Sequence, residues 1–268
     1  MSKLLTPENK IFVLMFGGAV VVFLVLAGLV LATPPSAPAV NLVNYGKINN
    51  FNLINQDNNT VTLDTYNSSD ILIINFFYTH CGDLPNSTVP GCNAEAAKLN
   101  TVMGTLQNEG YTPSQFHIVS ISFDYRFDNV SSVRAYGLVH GEGQFNYWSF
   151  LTGNKSQMLN VTSSYGFCEY YYDNSNPATN QTNLTCEQYA YLSSMSAATS
   201  TAQANDINTI SSIGAVDHGD PNVTTGYEHS FLVIVADKNR DIRQLYTGTD
   251  WKASDMVNVI KALLSTNQ

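Results

Sequence analysis

The run Ile71-Leu-Ile-Ile-Asn-Phe-Phe-Tyr78 is almost continuously apolar and ends in Thr79-His80-Cys81, with a second cysteine at Cys92. Far downstream, Gly226-Tyr-Glu-His229-Ser-Phe places an isolated histidine just ahead of another apolar run. Thiolates are soft ligands that favour Cu(I), and one imidazole completes a three-coordinate S₂N set. The same two sulfurs could instead cycle between dithiol and disulfide, or close a permanent structural disulfide. The chain shows no Gly-rich phosphate loop, no basic nucleic-acid patch and no Ser-His-acid arrangement.

The elements around these residues decide whether they meet. Cys81 falls just past the end of a strand over 71–78, buried on both faces by its continuous apolarity. Ala94, Ala97, Leu99, Val102, Met103 and Leu106 recur at helical spacing, predicting a helix over 93–109 that stops at Gly110. Cys92 then sits one residue ahead of a helix N-terminus, whose N–H groups and dipole favour a thiolate there. Further along, the pattern predicts a hairpin of 51–55 and 60–63, a strand over 116–123 and a helix over 130–139. A second hairpin of 231–236 and 242–246 and a last helix over 251–264 complete it. This order predicts an α/β, thioredoxin-like fold with an added N-terminal β-hairpin. In such a sheet the strand after His229 lies near the central strand, so Cys81, Cys92 and His229 can converge. A segment of about 166–225, rich in Tyr, Asn, Ser and Thr, breaks the pattern and predicts a structured insertion.

Upstream, Ile11 to Leu31 carries no charge, and as a helix would span roughly 30 Å, about a bilayer's hydrocarbon thickness. It is longer than a secretory apolar core, so 11–32 is expected to be a retained transmembrane anchor; Ala32-Thr33-Pro34 is the cleavage context for the alternative. Lys3 and Lys10 precede the span and Lys47 is the first basic residue after it. That asymmetry predicts a cytoplasmic tail (1–10), a single pass through the cell membrane, a Pro-rich linker (33–48) and an extracytoplasmic domain (49–268).

Only 12% of residues are charged and the net charge is −9, which argues against a nucleic-acid partner. Nine Asn-x-Ser/Thr acceptors follow the span, at Asn58, Asn67, Asn86, Asn129, Asn154, Asn160, Asn180, Asn183 and Asn222. They suggest a polar, uncharged and glycosylated exterior, a character that survives protonation of carboxylates in acid. All four cysteines lie on this side, where disulfides are permitted. Cys168 and Cys186 sit inside the insertion with no histidine between them, and a structural disulfide there would contribute about 3 kcal/mol. His218, in Asp217-His-Gly-Asp220, is expected in a solvated turn, and His80, His117 and His140 have no ligand role.

Phe76-Phe-Tyr78-Thr79-His80-Cys81-Gly82-Asp83, Ile121-Ser-Phe-Asp124-Tyr-Arg126-Phe-Asp128, Trp148-Ser-Phe-Leu-Thr-Gly153 and His229-Ser-Phe-Leu-Val occur in this order. With these blocks the chain resembles the Sco/SenC family of copper-binding proteins of cytochrome oxidase assembly. The resemblance implies a membrane-anchored thioredoxin-like domain holding copper, as Cu(I) or Cu(II), through two cysteines and a histidine, matched here by Cys81, Cys92 and His229. It implies the copper-receiving subunit of a terminal oxidase and a thiol reductant as partners, and a metallochaperone role. The alternative is a thiol–disulfide oxidoreductase that keeps oxidase copper-site cysteines reduced, acting through Cys81 and Cys92. A third reading is a surface glycoprotein whose Cys81 and Cys92 are permanently bridged. The family spaces its cysteines Cys-x-x-x-Cys, whereas ten residues (82–91) intervene here, polar and turn-rich with Pro85 and Pro90. Such a loop can bulge out and return, because closure costs only about 0.6 kcal/mol per doubling of length.

Overall fold

Every residue of the strand Ile71–Phe77 is buried, as continuous apolarity demands of a strand covered on both faces. The structure, a computed structural model, describes residues 40, 42–67, 69–81, 91–167, 169–173 and 225–266. The strands are β1 (Asn52–Asn55), β2 (Thr60–Thr62), β3 (Ile71–Phe77), β4 (Phe116–Ser122), β5 (Trp148–Thr152), β6 (Glu169–Asp173), β7 (Thr225–His229), β8 (Leu232–Ala236) and β9 (Ile242–Thr247). The helices are α1 (Cys92–Asn108), α2 (Val130–His140), α3 (Lys155–Ser164) and α4 (Ala253–Thr266).

Seven strands form one sheet in the order β2-β1-β5-β4-β3-β8-β9. β3, β4 and β5 are parallel, while β1 joins β5 and β8 joins β3 antiparallel. Successive strand residues face opposite ways, and β3 shows what covers each side. Phe76 packs on Tyr165 and Phe167 after α3, and Phe77 packs on Tyr136 of α2 and on Phe150. α1 buries Ala96, Leu99, Val102, Met103 and Leu106 and packs against α4, whose Met256, Val257, Ile260, Leu263 and Leu264 form its apolar stripe. Gly110 ends α1 at φ +89°, a backbone angle that glycine adopts without strain.

The strands and helices predicted between 51 and 264 outside the insertion are present, and three features exceed them. The pattern did not mark β5, because its apolar residues are interrupted by Ser149 and Thr152 over five positions. α3 has weak amphipathicity and is set by a capping box, in which Asn154 accepts from Gln157 N–H and Asn154 N–H donates to Gln157. The third is a separate two-stranded sheet, β6 paired with β7, formed by the ends of the insertion. The two ends of the expected insertion (about 166–225) thus meet as neighbouring strands, and residues 174–224 between them lie outside the described residues. The expected tail (1–10), the expected anchor (11–32) and most of the expected linker (33–48) also lie outside them; among the described residues no helix is long and apolar enough to cross a membrane. Of the acceptor asparagines, Asn58, Asn67, Asn129, Asn154 and Asn160 are described, and all are exposed.

Candidate metal centre

Three elements bring the site together. Cys81 follows β3 in a turn in which its N–H donates to the Tyr78 carbonyl (3.2 Å). Cys92 is the first residue of α1, with Gly91 as N-cap. His229 ends β7, which is directed across the C-terminal end of β3 by its pairing with β6 and by the start of β8 at Leu232. The ligand atoms of Cys81, Cys92 and His229 all lie within 4.8 Å of one another, and all three residues are buried. Ten intervening residues do not prevent the return of Cys92: the cysteine Cα atoms are 5.8 Å apart and the sulfurs are joined in a disulfide.

The imidazole of His229 presents Nε2 to the sulfurs. Its Nδ1–H donates to the Ser230 carbonyl (2.9 Å), which puts the lone pair on Nε2, 3.6 Å from Cys92 Sγ. The ring is fully buried among Tyr78, Phe123, Phe167 and Phe231, with centroid separations of 4.9–6.0 Å. The helix N-terminus acts differently from the sequence-based expectation. The Cys92 N–H donates to Cys81 Sγ (3.1 Å), so α1 stabilises charge on the first cysteine and not on the second. The reason is geometric: orphan amides at a helix start point out along the axis, toward whatever precedes it.

Four carboxyl groups, those of Glu95, Asp124, Asp128 and Glu169, are buried on the surrounding elements. Asp128 accepts Thr79 N–H (2.9 Å), the Thr79 hydroxyl and the Ser122 hydroxyl (2.5 Å), which pins the turn leading to Cys81. Asp124 accepts the N–H groups of Arg126 and Phe127 and the Tyr227 hydroxyl (3.0 Å), and burial, together with the adjacent Asp128, raises its pKa. Glu169 sits directly opposite His229 in the β6–β7 register and is fully buried; burial, aided by Asp124, pushes it up to about 8. Burial likewise pushes Glu95, in the first turn of α1, up to about 8. His80, Asp124 and Asp128 also cluster within 4.8 Å, but the carboxylates there are committed to N–H and O–H donors and His80 is exposed.

Sequence reasoning placed Cys81, Cys92 and His229 together, and the structure does the same. Cys168 and Cys186, the expected structural pair, and His218 lie outside the described residues. His117 is buried and bonded to the Ser149 hydroxyl (2.8 Å), and the His140 ring lies against Tyr136, both away from the thiols. Sequence reasoning missed Glu95 and Glu169 because a lone acidic residue carries no periodic signal. The paired spacing of Asp124 and Asp128 was visible, but not the turn it clamps.

The chain matches the SCO1/SenC family over residues 44–213, a span that includes both cysteines and ends before His229. No curated protein matches it. Among solved structures, it resembles Arabidopsis thaliana ScoI with copper bound at 18% identity, covering 83% of this chain and 100% of that one, TM-score 0.52. Yeast Sco1 with copper bound matches at 15% identity, 82% and 90% coverage and TM-score 0.51. BsSco, described as having a disulfide switch and as a member of the Sco family of cytochrome c oxidase assembly proteins, matches at 15%, 85% and 98% coverage and TM-score 0.50. These likenesses are likenesses of fold. With a family match over most of its length, this chain is a member of the SCO1/SenC family.

Proposed function

We propose that this protein is a membrane-tethered Cu(I) metallochaperone that delivers copper to the copper-receiving subunit of a terminal oxidase. The observation that carries the reading is the convergence of Cys81 Sγ, Cys92 Sγ and His229 Nε2 within 4.8 Å. Two sulfurs and one correctly oriented imidazole nitrogen are the donor set that Cu(I) prefers, and a three-coordinate site lets an incoming soft ligand displace one at a time. Copper-bound relatives of the same fold and the oxidase-assembly role stated for BsSco support the choice of metal and acceptor. The cargo can bind only when the Cys81–Cys92 disulfide is opened by a thiol reductant, because both ligands must be thiolates. Residues 11–32 serve as the anchor, with the N-terminus inside and the thiol site outside the cell membrane.

The test is an anaerobic titration of the fully reduced protein with Cu(I) against a competing chelator. Tight one-to-one binding, lost in Cys81→Ala, Cys92→Ala and His229→Ala but kept when Cys168 and Cys186 are replaced, is the expected result. A folded, reduced protein that takes no copper from the chelator overturns it. The disulfide itself favours one second reading, a thiol–disulfide oxidoreductase for oxidase cysteines. It predicts that His229→Ala keeps full reductase activity, since thiol exchange has no need of the imidazole.

A further inference from the structure

A cleft of about 300 Å³ opens between the short 3₁₀ turn Leu63–Tyr66 and the first residues of β4 and β5. Its wall includes His117, the second residue of β4, and Ser149, the second of β5. The thiols are at the other end of the same sheet. β3 runs parallel to β4, and Cys81 lies beyond the last residue of β3, so about 17 Å of strand separates His117 from the level of Phe77 and Ser122. The cleft therefore shares no residue with the copper ligands, and its chemistry has to be read separately.

The wall is held in place by bonds that leave particular hydrogens and lone pairs over. Arg240 donates to the Tyr66 and Ser69 carbonyls (2.6 and 3.1 Å), which fixes the turn, and Ser69 Oγ donates to the Pro113 carbonyl (2.8 Å). His117 Nε2 accepts the Ser149 O–H (2.8 Å), because the other ring nitrogen gives its hydrogen to the Asn146 backbone. Ser69 and Ser149 thus keep oxygen lone pairs as acceptors. Asn55 Oδ1 accepts the Asp57 and Asn59 N–H groups (3.0 and 2.9 Å), leaving both Nδ2 hydrogens. Thr65 Oγ1 accepts the Thr62 N–H (3.0 Å), leaving its own O–H. Tyr66 is the telling member. It is 5% exposed, and its hydroxyl lies beside Ser149 but completes no hydrogen bond among the described residues. A buried hydroxyl in that condition is costly unless something entering the cleft meets it.

The lining selects the class of ligand. It contains no Lys, Arg, Asp or Glu, so neither an anion nor a cation finds a counter-charge in it. Both nitrogens of His117 are committed, which removes the one candidate metal ligand. Five hydroxyl residues (Thr65, Tyr66, Ser69, Ser114, Ser149) and two amides (Asn55, Asn146) make it too polar for an apolar guest. Hydroxyls both give and accept hydrogen bonds, and they match a ligand whose own groups are hydroxyls. Val61 and Pro113 add the apolar contact that the C–H face of a sugar ring requires, and the volume, at the small end of ligand pockets, suits one ring. We propose that this cleft is a binding site for a single neutral pyranose sugar, with the Tyr66 hydroxyl as its buried hydrogen-bonding contact. The chemistry is the same for a free monosaccharide and for the terminal sugar of a glycan.

The test is saturation-transfer NMR on the full-length protein in an amine-oxide detergent, which carries no sugar headgroup. The probes are glucose, galactose, mannose and N-acetylglucosamine, each also as its methyl glycoside. At least one is expected to bind saturably with a dissociation constant of about 1 mM, as befits so small a ligand. A methyl glycoside that binds as well as its free sugar identifies a glycan terminus as the natural ligand; binding of the free sugar alone identifies a monosaccharide. Glucuronate, which brings a carboxylate into an uncharged cleft, is expected to bind about tenfold or more weakly. Tyr66→Phe keeps the ring and removes the hydroxyl. It is expected to weaken binding about tenfold without lowering the urea midpoint, since the hydroxyl it deletes has no partner in the unbound fold. Ser114→Trp fills the entrance from an exposed position and is expected to abolish the signal. No saturable binding by any of the sugars overturns the proposal. So does cyclohexanol binding as tightly as the best sugar, or wild-type affinity retained in either Tyr66→Phe or Ser114→Trp. Cu(I) binding is expected to be unchanged in both variants, so this outcome and that of the copper titration stand apart.

Discussion

Lowering the pH from 8 to 4.5 is predicted to stabilise this fold, the reverse of ordinary acid denaturation. Glu95 and Glu169 are raised by burial from 4.5 to about 8, so between those values the native state holds two protons that the unfolded chain has lost. Stability then falls by about 1.4 kcal/mol per pH unit for each group as pH rises, and is fully present below 4.5. His117 has the opposite sign. Burial lowers it from 6.5 to about 4, so the unfolded chain takes up a proton the native state refuses, and its contribution is lost as pH falls through that window. From pH 8 to 6.5 only the two carboxyls act, giving a gain of about 4 kcal/mol. From 6.5 to 4.5 His117 cancels one of them, leaving a net gain of about 1.4 kcal/mol per unit. Asp124, also raised, adds to the carboxyl side. Urea unfolding of the compact unit Ala39–Gln268 at pH 8, 6.5 and 5 reads this directly. Glu95→Gln and Glu169→Gln are each expected to remove one unit of slope. A stability that is flat, or greatest at pH 8, refutes the reasoning.

Replacing both Cys81 and Cys92 by serine is expected to lower stability by about 2.8 kcal/mol in urea, the chain-entropy value for a separation of 11 residues; an unchanged midpoint would show that the loop is ordered without the bond. Gly137→Ala places a Cβ 2.7 Å from ring atoms of both Phe145 and Phe150, and a loss of about 1–3 kcal/mol is expected on thermal unfolding. Asp128→Ala strands the Thr79 amide and two hydroxyls, which is expected to cost about 1.5–3 kcal/mol and to weaken Cu(I) binding by loosening the turn before Cys81. Stability loss with unaltered copper affinity would show that the turn holds Cys81 without this clamp.

The strands and helices around the thiols were legible because their patterns are local. The apolar run 71–78 could only be a covered strand, and the helical spacing of Leu99, Val102, Met103 and Leu106 could only be one face of a helix. β6 was hidden for the converse reason: Glu-Tyr-Tyr-Tyr-Asp has strand-forming aromatics but no alternation, and its partner β7 lies far along the chain. Nothing local says that Glu169 will face His229, because register is a property of the pair.

The sequence by itself determined the donors, their order along the chain and the elements that carry Cys81 and Cys92, since residue type and short-range periodicity are written in neighbouring positions. Only the tertiary structure decided which sulfur receives the helix amide, which histidine nitrogen faces the thiols and which carboxyls are buried near them. Those depend on angles and distances between segments far apart in the chain, as with the sequence separation of 137 from Cys92 to His229, and on how completely packing removes water from a group whose charge water would otherwise stabilise.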